Sequence, residues 1–163
     1  MRIVKRTKPS PRRRVDEDLP AEASLIRYIE SSALVAAIME RDAEVAAQIS
    51  EIGQRVTSAL TLAETMRAVV CARAAGRIGP REERSALRDF QRFARRCLVM
   101  AVTEEVLTRV ARPFPVEPVR TLDAIHLATL ESLGETPQLV TVVTRDDRIA
   151  RNARALGYAV APE

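Results

Sequence analysis

The sequence LVTVVTRDDRIARNARALGYAV, residues 139–160, holds the pattern that decides the fold. Its first five residues are apolar or β-branched, which predicts a buried strand at residues 139–143. Residues 147–156 follow with a helical pattern, and Gly157 predicts where that helix ends. Residues 158–160 then predict a second short strand. A strand, a helix and a strand in such close succession are typical of a parallel sheet.

The same alternation of short apolar runs and helical patterns extends back to residue 25. The predicted strands cover residues 25–29, 55–59 and 97–102, and the predicted helices cover residues 32–40, 43–54, 62–75, 81–95, 103–111 and 122–133. We therefore expect one α/β domain over residues 25–163, with a central, mainly parallel sheet flanked by helices on both faces. In such sheets, ligands bind beyond the carboxyl ends of the strands.

The composition is typical of a soluble globular protein. The chain has 163 residues, of which 47% are hydrophobic and 29% are charged, and this suffices for one domain with a core. The longest apolar stretch, residues 32–39, is too short to span a bilayer, and the basic start does not lead into a secretory signal. We expect a cytoplasmic protein with no membrane segment.

The net charge of +4 comes mainly from the first 24 residues. Residues 1–14 carry seven Lys or Arg and no acid, whereas residues 15–24 carry four acids and no base. We interpret residues 1–24 as a flexible N-terminal tail of basic and acidic blocks. The rest of the chain carries 19 arginines against 18 acidic residues and no lysine, which we attribute to coding bias rather than to phosphate binding.

Histidine and cysteine are too few for several kinds of site. Cys71 and Cys97 are the only cysteines and His126 is the only histidine, which argues against a zinc site and against a Ser-His-Asp mechanism. We expect both cysteines to be reduced core residues. His126 lies in an apolar helical pattern and is expected to pack in the core, although its place three residues after Asp123 leaves a role near a site open.

Four acids lie where the predicted strands end or the next helices begin. They are Glu30, Glu64, Asp123 and Asp146. Converging carboxylates repel one another, so such a cluster favours a bound cation. Oxygen ligands suit Mg²⁺ or Mn²⁺, and such an ion can activate water toward a phosphodiester.

Each acid also has a purely structural interpretation. Residues 61–64 (TLAE) and residues 144–147 (TRDD) both have the spacing of a capping box at a helix start. Asp123 suits the positive end of a helix dipole, and Glu30 suits a solvated position at a strand end.

The segments around these acids resemble the PIN-domain family, in particular VapC-type toxins of toxin–antitoxin pairs. The resemblance is carried by four segments: RYIESSALV at residues 27–35, TSALTLAE at 57–64, RTLDAIHLA at 120–128 and VTRDDRIA at 143–150. Their order and spacing agree with the family over residues 25–160.

The resemblance implies a metal-dependent endoribonuclease that uses Mg²⁺ or Mn²⁺ and a metal-activated water. It implies that Glu30, Glu64, Asp123 and Asp146 are the catalytic and metal-binding residues, with Ser32 and Thr144 in support. It also implies an RNA substrate, a small antitoxin protein as partner, and a homodimer. From the residues alone, Arg67, Arg120 and Arg145 are candidates for phosphate contacts.

One residue departs from the family pattern, which usually has Asp where this chain has Glu30. The longer side chain shifts the carboxylate, and Mg²⁺ tolerates little error in its coordination geometry. An alternative is therefore a catalytically weakened PIN module that acts by binding protein or nucleic acid. A third is a DNA-directed or RNA-processing nuclease outside any toxin system.

Overall fold

Five parallel strands form one sheet in the computed structural model, which describes residues 26–162. The strands are Ile26–Ile29 (β1), Gln54–Ser58 (β2), Leu98–Met100 (β3), Val140–Val143 (β4) and Ala159–Ala161 (β5). They lie in the order β3-β2-β1-β4-β5, and every neighbouring pair is parallel. The predicted parallel α/β sheet is confirmed. The predicted tail of residues 1–24 lies outside the described residues.

Seven α-helices connect the strands. They are Ser31–Val35 (α1), Ala43–Ser50 (α2), Ala59–Ala74 (α3), Pro80–Ala94 (α4), Glu104–Val110 (α5), Thr121–Glu131 (α6) and Asp147–Ala155 (α7). A π-helical segment, Ala36–Glu40, continues α1, and a short 3-10 helix, Pro137–Leu139, precedes β4. Within residues 26–162, no helix combines the length and apolar character that a membrane crossing requires.

Two predicted elements are shorter in the structure by three residues or more. The helix predicted over residues 43–54 stops at Ser50, because Gly53 adopts a φ of 140° and Gln54 already pairs in the sheet. The strand predicted over residues 97–102 has only the three residues of β3, which lies at the edge of the sheet. In both places sheet pairing rather than local apolar pattern fixes the boundary, because Gln54 of β2 pairs with Ile26 of β1 and β3 pairs with Val56–Ser58 of β2.

Both faces of the sheet are covered, as predicted. The larger core cluster joins β1, β2 and β4 to α5, α6 and α7 through buried residues that include Tyr28, Val56, Val106, Leu127, Val142 and Ile149. The second cluster lies on the opposite face and joins β1 and β4 to α1 and α2 through Ile29, Leu34, Val45 and Val143. Because successive strand residues face opposite sides, Tyr28 and Ile29 contribute to different clusters.

The order of the strands reverses between β1 and β4. The chain passes from β1 to β2 and β3 on one side, then crosses to β4 and β5 on the other. Ile29 pairs with Val143, and the Glu30 N–H donates to the Val143 carbonyl at 3.0 Å. The residues that follow, Glu30 and Thr144, therefore lie side by side at the switch point, where such sheets bind ligands.

A buried asparagine on α7 fixes the connection between α5 and α6. The Oδ1 atom of Asn152 accepts a hydrogen bond from the Val116 N–H at 2.9 Å, and its Nδ2 donates to the Val116 carbonyl at 2.9 Å. Asn152 is 1% exposed. Since α6 begins five residues after Val116, this pair of bonds positions the segment that leads into Asp123.

We expect Asn152→Ala to lower the free energy of unfolding by about 2 kcal/mol, because both backbone groups of Val116 lose their partner in a partly buried place. Urea unfolding followed by circular dichroism measures this change. Asn152→Asp keeps an acceptor for the Val116 N–H but places a buried carboxylate oxygen against the Val116 and Arg148 carbonyls, so it should not restore the stability. An unchanged urea midpoint for Asn152→Ala would contradict the role assigned to these bonds.

Candidate active site

Glu30 is a buried carboxylate that begins α1. It is 2% exposed, and its Oε2 accepts hydrogen bonds from the Ser32 N–H at 3.0 Å, the Ser32 hydroxyl and the Thr144 hydroxyl at 2.8 Å. The Ser31 hydroxyl donates to its Oε1. The interpretation of Glu30 as a solvated strand end is therefore wrong, because hydroxyl groups from two elements surround it. These bonds hold the carboxylate in one orientation.

Ser32 and Thr144 connect the ends of β1 and β4. Their hydroxyl oxygens lie 3.2 Å apart. The Ser32 hydroxyl accepts from the Arg145 N–H at 2.8 Å, and the Thr144 hydroxyl accepts from the Asp146 N–H at 3.0 Å. Both residues lie beside Glu30, so they support the carboxylate by direct contact.

Glu64 reaches the same place from α3. The Ser58 hydroxyl caps α3 by accepting from the Thr61 N–H at 3.0 Å, so the helix begins at Ala59. The predicted capping box at residues 61–64 is therefore wrong, because Thr61 is already inside the helix. This frees the Glu64 side chain, whose Oε2 lies 2.7 Å from His126 Nε2.

The pKa of Glu64 is lowered by its neighbours. Burial alone would raise it, but the hydrogen bond from His126, the nearby Ser31 hydroxyl and the electrostatic attraction of His126 together outweigh that effect. Glu64 is therefore held in its ionised form.

His126 lies on α6, one turn after Asp123, and is 2% exposed. The expectation that it packs in the core is confirmed. It also contacts the acids, since its Nε2 lies 3.6 Å from Glu30 Oε1 as well as 2.7 Å from Glu64. One ligand atom each from Glu30, Glu64 and His126 fall within 4.8 Å of one another. The structure thus adds His126 to the group of acids at the ends of the strands. In the sequence, its position one helical turn after Asp123 was the feature that pointed to the site.

Asp123 lies in the first turn of α6, as predicted, with its side chain 14% exposed. Its Oδ2 atom is buried and has no hydrogen-bond partner among the described residues. Arg148 approaches it only to 4.0 Å. Burial raises the pKa of Asp123, and repulsion from Asp146 and Glu30 adds to this, while Arg148 and Arg120 act in the opposite direction. The ionised carboxylate is therefore incompletely compensated within the protein.

Asp146 caps α7 directly. Its Oδ1 accepts from the Arg148 N–H at 2.8 Å and from the Ile149 N–H at 3.1 Å. The structural interpretation of this acid as a helix start is confirmed, although the capping residue is Asp146 itself and not Thr144. Asp146 lies close enough to Asp123 for its negative charge to raise the pKa of Asp123.

The arginines around the acids are placed differently from one another. Arg145 forms an ion pair with Asp42 at 2.9 Å. Arg67 points along α3, with its guanidinium 3.6 Å from the Cys71 sulfur. Arg120 and Arg148 act electrostatically on Asp123, and sequence reasoning had not named Arg148.

The expectation that both cysteines are core residues is wrong for Cys71, which is exposed on α3. Cys97 is partly buried just before β3. Burial raises the pKa of the Cys97 thiol to about 11. Apolar neighbours in the sequence therefore did not determine which side of the helix Cys71 occupies.

The donor groups at the switch point fit a divalent cation. Carboxylate oxygens are the ligands that Mg²⁺ and Mn²⁺ prefer. The buried Asp123 Oδ2 atom has no hydrogen-bond partner among the described residues, and a cation would supply the missing interaction. Glu30 and Asp146 raise the negative potential around it.

The fold is a parallel α/β sheet with acids at its switch point, and the sequence matches the PIN domain family over residues 27–155. The chain belongs to the PIN domain family. It is similar to Ribonuclease VapC35 of Mycobacterium tuberculosis, with 36% identity over 138 residues that cover 82% of this chain and 93% of that protein.

Solved structures share the fold at low sequence identity. VapBC2 from Rickettsia felis, bound to a DNA fragment from its promoter, has a TM-score of 0.58 at 12% identity and covers 83% of this chain and 96% of its own. VapBC-5 from Mycobacterium tuberculosis, a member of the VapBC family of toxin–antitoxin systems, has a TM-score of 0.52 at 21% identity. The match covers 83% of this chain and 95% of the VapBC-5 chain. These likenesses confirm the predicted α/β fold.

Proposed function

We propose that this protein is a metal-dependent endoribonuclease and the toxin of a toxin–antitoxin pair. The observation that carries the proposal is the buried carboxylate oxygen of Asp123, which has no hydrogen-bond partner among residues 26–162 and lies within electrostatic reach of further acids at the switch point of a PIN domain. The similarity to a ribonuclease of the VapC type supports RNA as the substrate.

Glu30, Asp123 and Asp146 would hold the cation, and Glu64 would bind a second ion or orient water. When bound, Mg²⁺ or Mn²⁺ supplies a water of lowered pKa and neutralises charge that develops on the phosphodiester. Ser32 and Thr144 support the site by fixing Glu30 through the hydrogen bonds described above.

The chain's own residues prepare the site for a negatively charged substrate. His126 holds Glu64 through the 2.7 Å contact and so limits the positions that its carboxylate takes. Arg148 and Arg120 place positive charge near Asp123, where a phosphate oxygen would approach. The buried packing of Glu30 and His126 keeps bulk water away from one side of the group.

Cleavage of a labelled RNA panel by the purified protein tests the proposal. We expect cutting with Mg²⁺ or Mn²⁺ and none with EDTA. Asp147→Asn serves as the matched control, because Asp147 is an exposed acid directly beside Asp146 and its loss should leave cutting intact. The absence of cutting under all metal conditions, in protein that folds normally, would refute the nuclease proposal.

The partners belong to the same proposal. A small antitoxin that binds this protein is supported by the likeness to a VapBC toxin–antitoxin structure. The homodimer implied by the family resemblance is also part of the proposal. Co-purification with the antitoxin, followed by measurement of complex mass in solution, tests both at once.

A weakened PIN module is a second candidate, favoured by one observation. The Glu30 Oε2 atom already accepts three hydrogen bonds, which reduces its capacity to bind a cation. If this candidate is right, Glu30→Asp should raise the cleavage rate by roughly tenfold, the scale on which ligand orientation alters metal sites. A Glu30→Asp rate equal to or below that of the natural chain would remove the support for this candidate.

A further inference from the structure

Six arginines lie on one side of α4 and just beyond its end. They are Arg81, Arg84, Arg88, Arg92, Arg95 and Arg96, and all of them are exposed. At 100° per residue they fall within an arc of about 120°, and we call this set the α4 arginine face. The opposite side of α4 is apolar, with Ala86 buried and with Phe90 and Phe93 packed on the second core cluster.

Little within the described residues neutralises this face. Among its six arginines, only Arg92 has a carboxylate within ion-pair distance, that of Asp89 at 3.3 Å. The other two acids of α4 are engaged elsewhere. Glu82 accepts from the Gly79 N–H at 2.6 Å, and Glu83 pairs with Arg73 of α3 at 3.4 Å.

The spacing of the arginines works against the helix itself. Arg84, Arg88, Arg92 and Arg96 follow one another at intervals of four residues, so their like charges are neighbours on the helix surface and destabilise it. The interval is about 6 Å along the axis. An extended polyanion laid along α4 would relieve this repulsion.

The shape of the surface suits such a ligand. Arg88, Gln91, Arg92, Arg95 and Arg96 line an open depression of about 330 Å³. A neighbouring depression of about 160 Å³, lined also by Asp89 and Phe93, adds Arg55. The Arg55 guanidinium is fixed by bonds to the Ile49 carbonyl at 2.7 Å and the Ser50 carbonyl at 3.2 Å. Positive charge therefore continues beyond the end of α4.

The chemistry of the face favours a nucleic acid over a protein. The arc contains arginines, Ser85 and polar edges, but no apolar or aromatic side chain. Protein interfaces need a buried apolar centre, whereas guanidinium groups bind phosphate oxygens in pairs. The α4 arginine face and the acids lie at different ends of the sheet. Arg92 and Arg96 lie beside Arg55, near the amino-terminal end of β2, whereas the acids lie beyond the carboxyl ends of the strands.

We propose that the α4 arginine face binds the phosphodiester backbone of the RNA substrate at a distance from the acidic group. This rests on the proposed function for the identity of the polyanion. Contacts to phosphates carry no sequence information, so the face contributes affinity and not target choice. It acts equally on bound substrate and transition state, and therefore affects KM rather than kcat.

The test measures binding of a labelled single-stranded RNA to the full chain in EDTA, so that cutting does not interfere. We expect the triple variant Arg88→Gln, Arg92→Gln, Arg95→Gln to raise Kd by about tenfold and to reduce the slope of log Kd against log salt by roughly 2. The matched control, Arg77→Gln, Arg151→Gln, Arg154→Gln, changes the net charge equally at exposed sites off the face. A triple Arg→Lys variant of the face keeps the charges and should retain most of the salt slope.

The outcomes separate this proposal from the nuclease. Equal losses in the face and control variants would show a general charge effect and overturn the α4 site, as would no loss in either. Tighter face-dependent binding of duplex DNA than of RNA would overturn the choice of ligand. RNA binding that depends on the α4 arginine face, without any metal-dependent cutting, would support this binding surface and refute the nuclease proposal. Metal-dependent cutting with an unchanged Kd and KM in the face variant would support the nuclease proposal and refute the binding surface.

Discussion

Asp123→Asn is expected to lower the rate of RNA cleavage by at least about a hundredfold, more than the effect usual for residues that only support a metal site. The variant keeps the size of the side chain and removes the charge that the cation would meet. The measurement is single-turnover cleavage in Mg²⁺ or Mn²⁺. Retained activity would exclude Asp123 from the proposed cation site. Its raised pKa would then reflect only its burial and its charged neighbours.

The same substitution should stabilise the metal-free protein. Because the pKa of Asp123 is raised in the fold, ionising this group opposes folding at neutral pH. This destabilisation is fully present at pH values above the pKa of Asp123 in the folded protein. It is absent at pH values below the pKa of Asp123 in the unfolded chain. In EDTA, Asp123→Asn should therefore melt at a higher temperature than the natural chain near neutral pH, and the difference should shrink as the pH falls. A variant that melts lower at neutral pH would contradict the origin assigned to the shift.

The second large effect is expected at Glu30. Glu30→Ala should lower the free energy of unfolding by about 3 kcal/mol, because the Ser31, Ser32 and Thr144 donors lose their common acceptor in a buried place. It should also abolish cleavage. Chemical denaturation and the RNA assay measure the two effects on the same preparation.

Glu30→Gln separates the two roles of this side chain. The amide oxygen can keep the bonds from Ser32 and Thr144, so stability should stay within about 1 kcal/mol of the natural chain. The negative charge is gone, so cleavage should still fall strongly. If Glu30→Gln cuts RNA normally, then Glu30 is a structural cap of α1 and not a metal ligand.

The strands of the sheet were predictable because each one is marked by a short pattern of neighbouring residues. Buried strands such as β4 show as short β-branched runs, and parallel strands bring their carboxyl ends to one edge. This was enough to place Glu30 and Asp146 near each other. The family resemblance then supported the same arrangement over nearly the whole domain.

Apolar pattern and capping signals did not predict the surroundings of each acid, because these depend on residues distant in the sequence, and only the family resemblance had indicated Ser32 and Thr144. Glu30 is buried by a hydroxyl 114 residues away, that of Thr144, and Glu64 meets a histidine 62 residues away. The start of α3 shows a related difficulty. Ser58 and Thr61 are both good capping residues and both are fully buried, so burial does not choose between them. Sheet pairing decides, because Ser58 still pairs with Met100 of β3 and α3 begins directly after it.

The proposed cation site gives Asp146 a second role beside capping α7, and this would limit how a population can lose the proposed activity. Its Oδ1 begins α7, so most replacements at this position also weaken the helix, whereas Asn, Ser and Thr preserve a cap. Asp123 caps no helix among the described residues, and its buried Oδ2 accepts no hydrogen bond from them, so it can change with little harm to folding. In cells that survive by inactivating this protein, mutations that leave abundant folded protein should therefore be diverse at Asp123 and restricted to capping residues at Asp146.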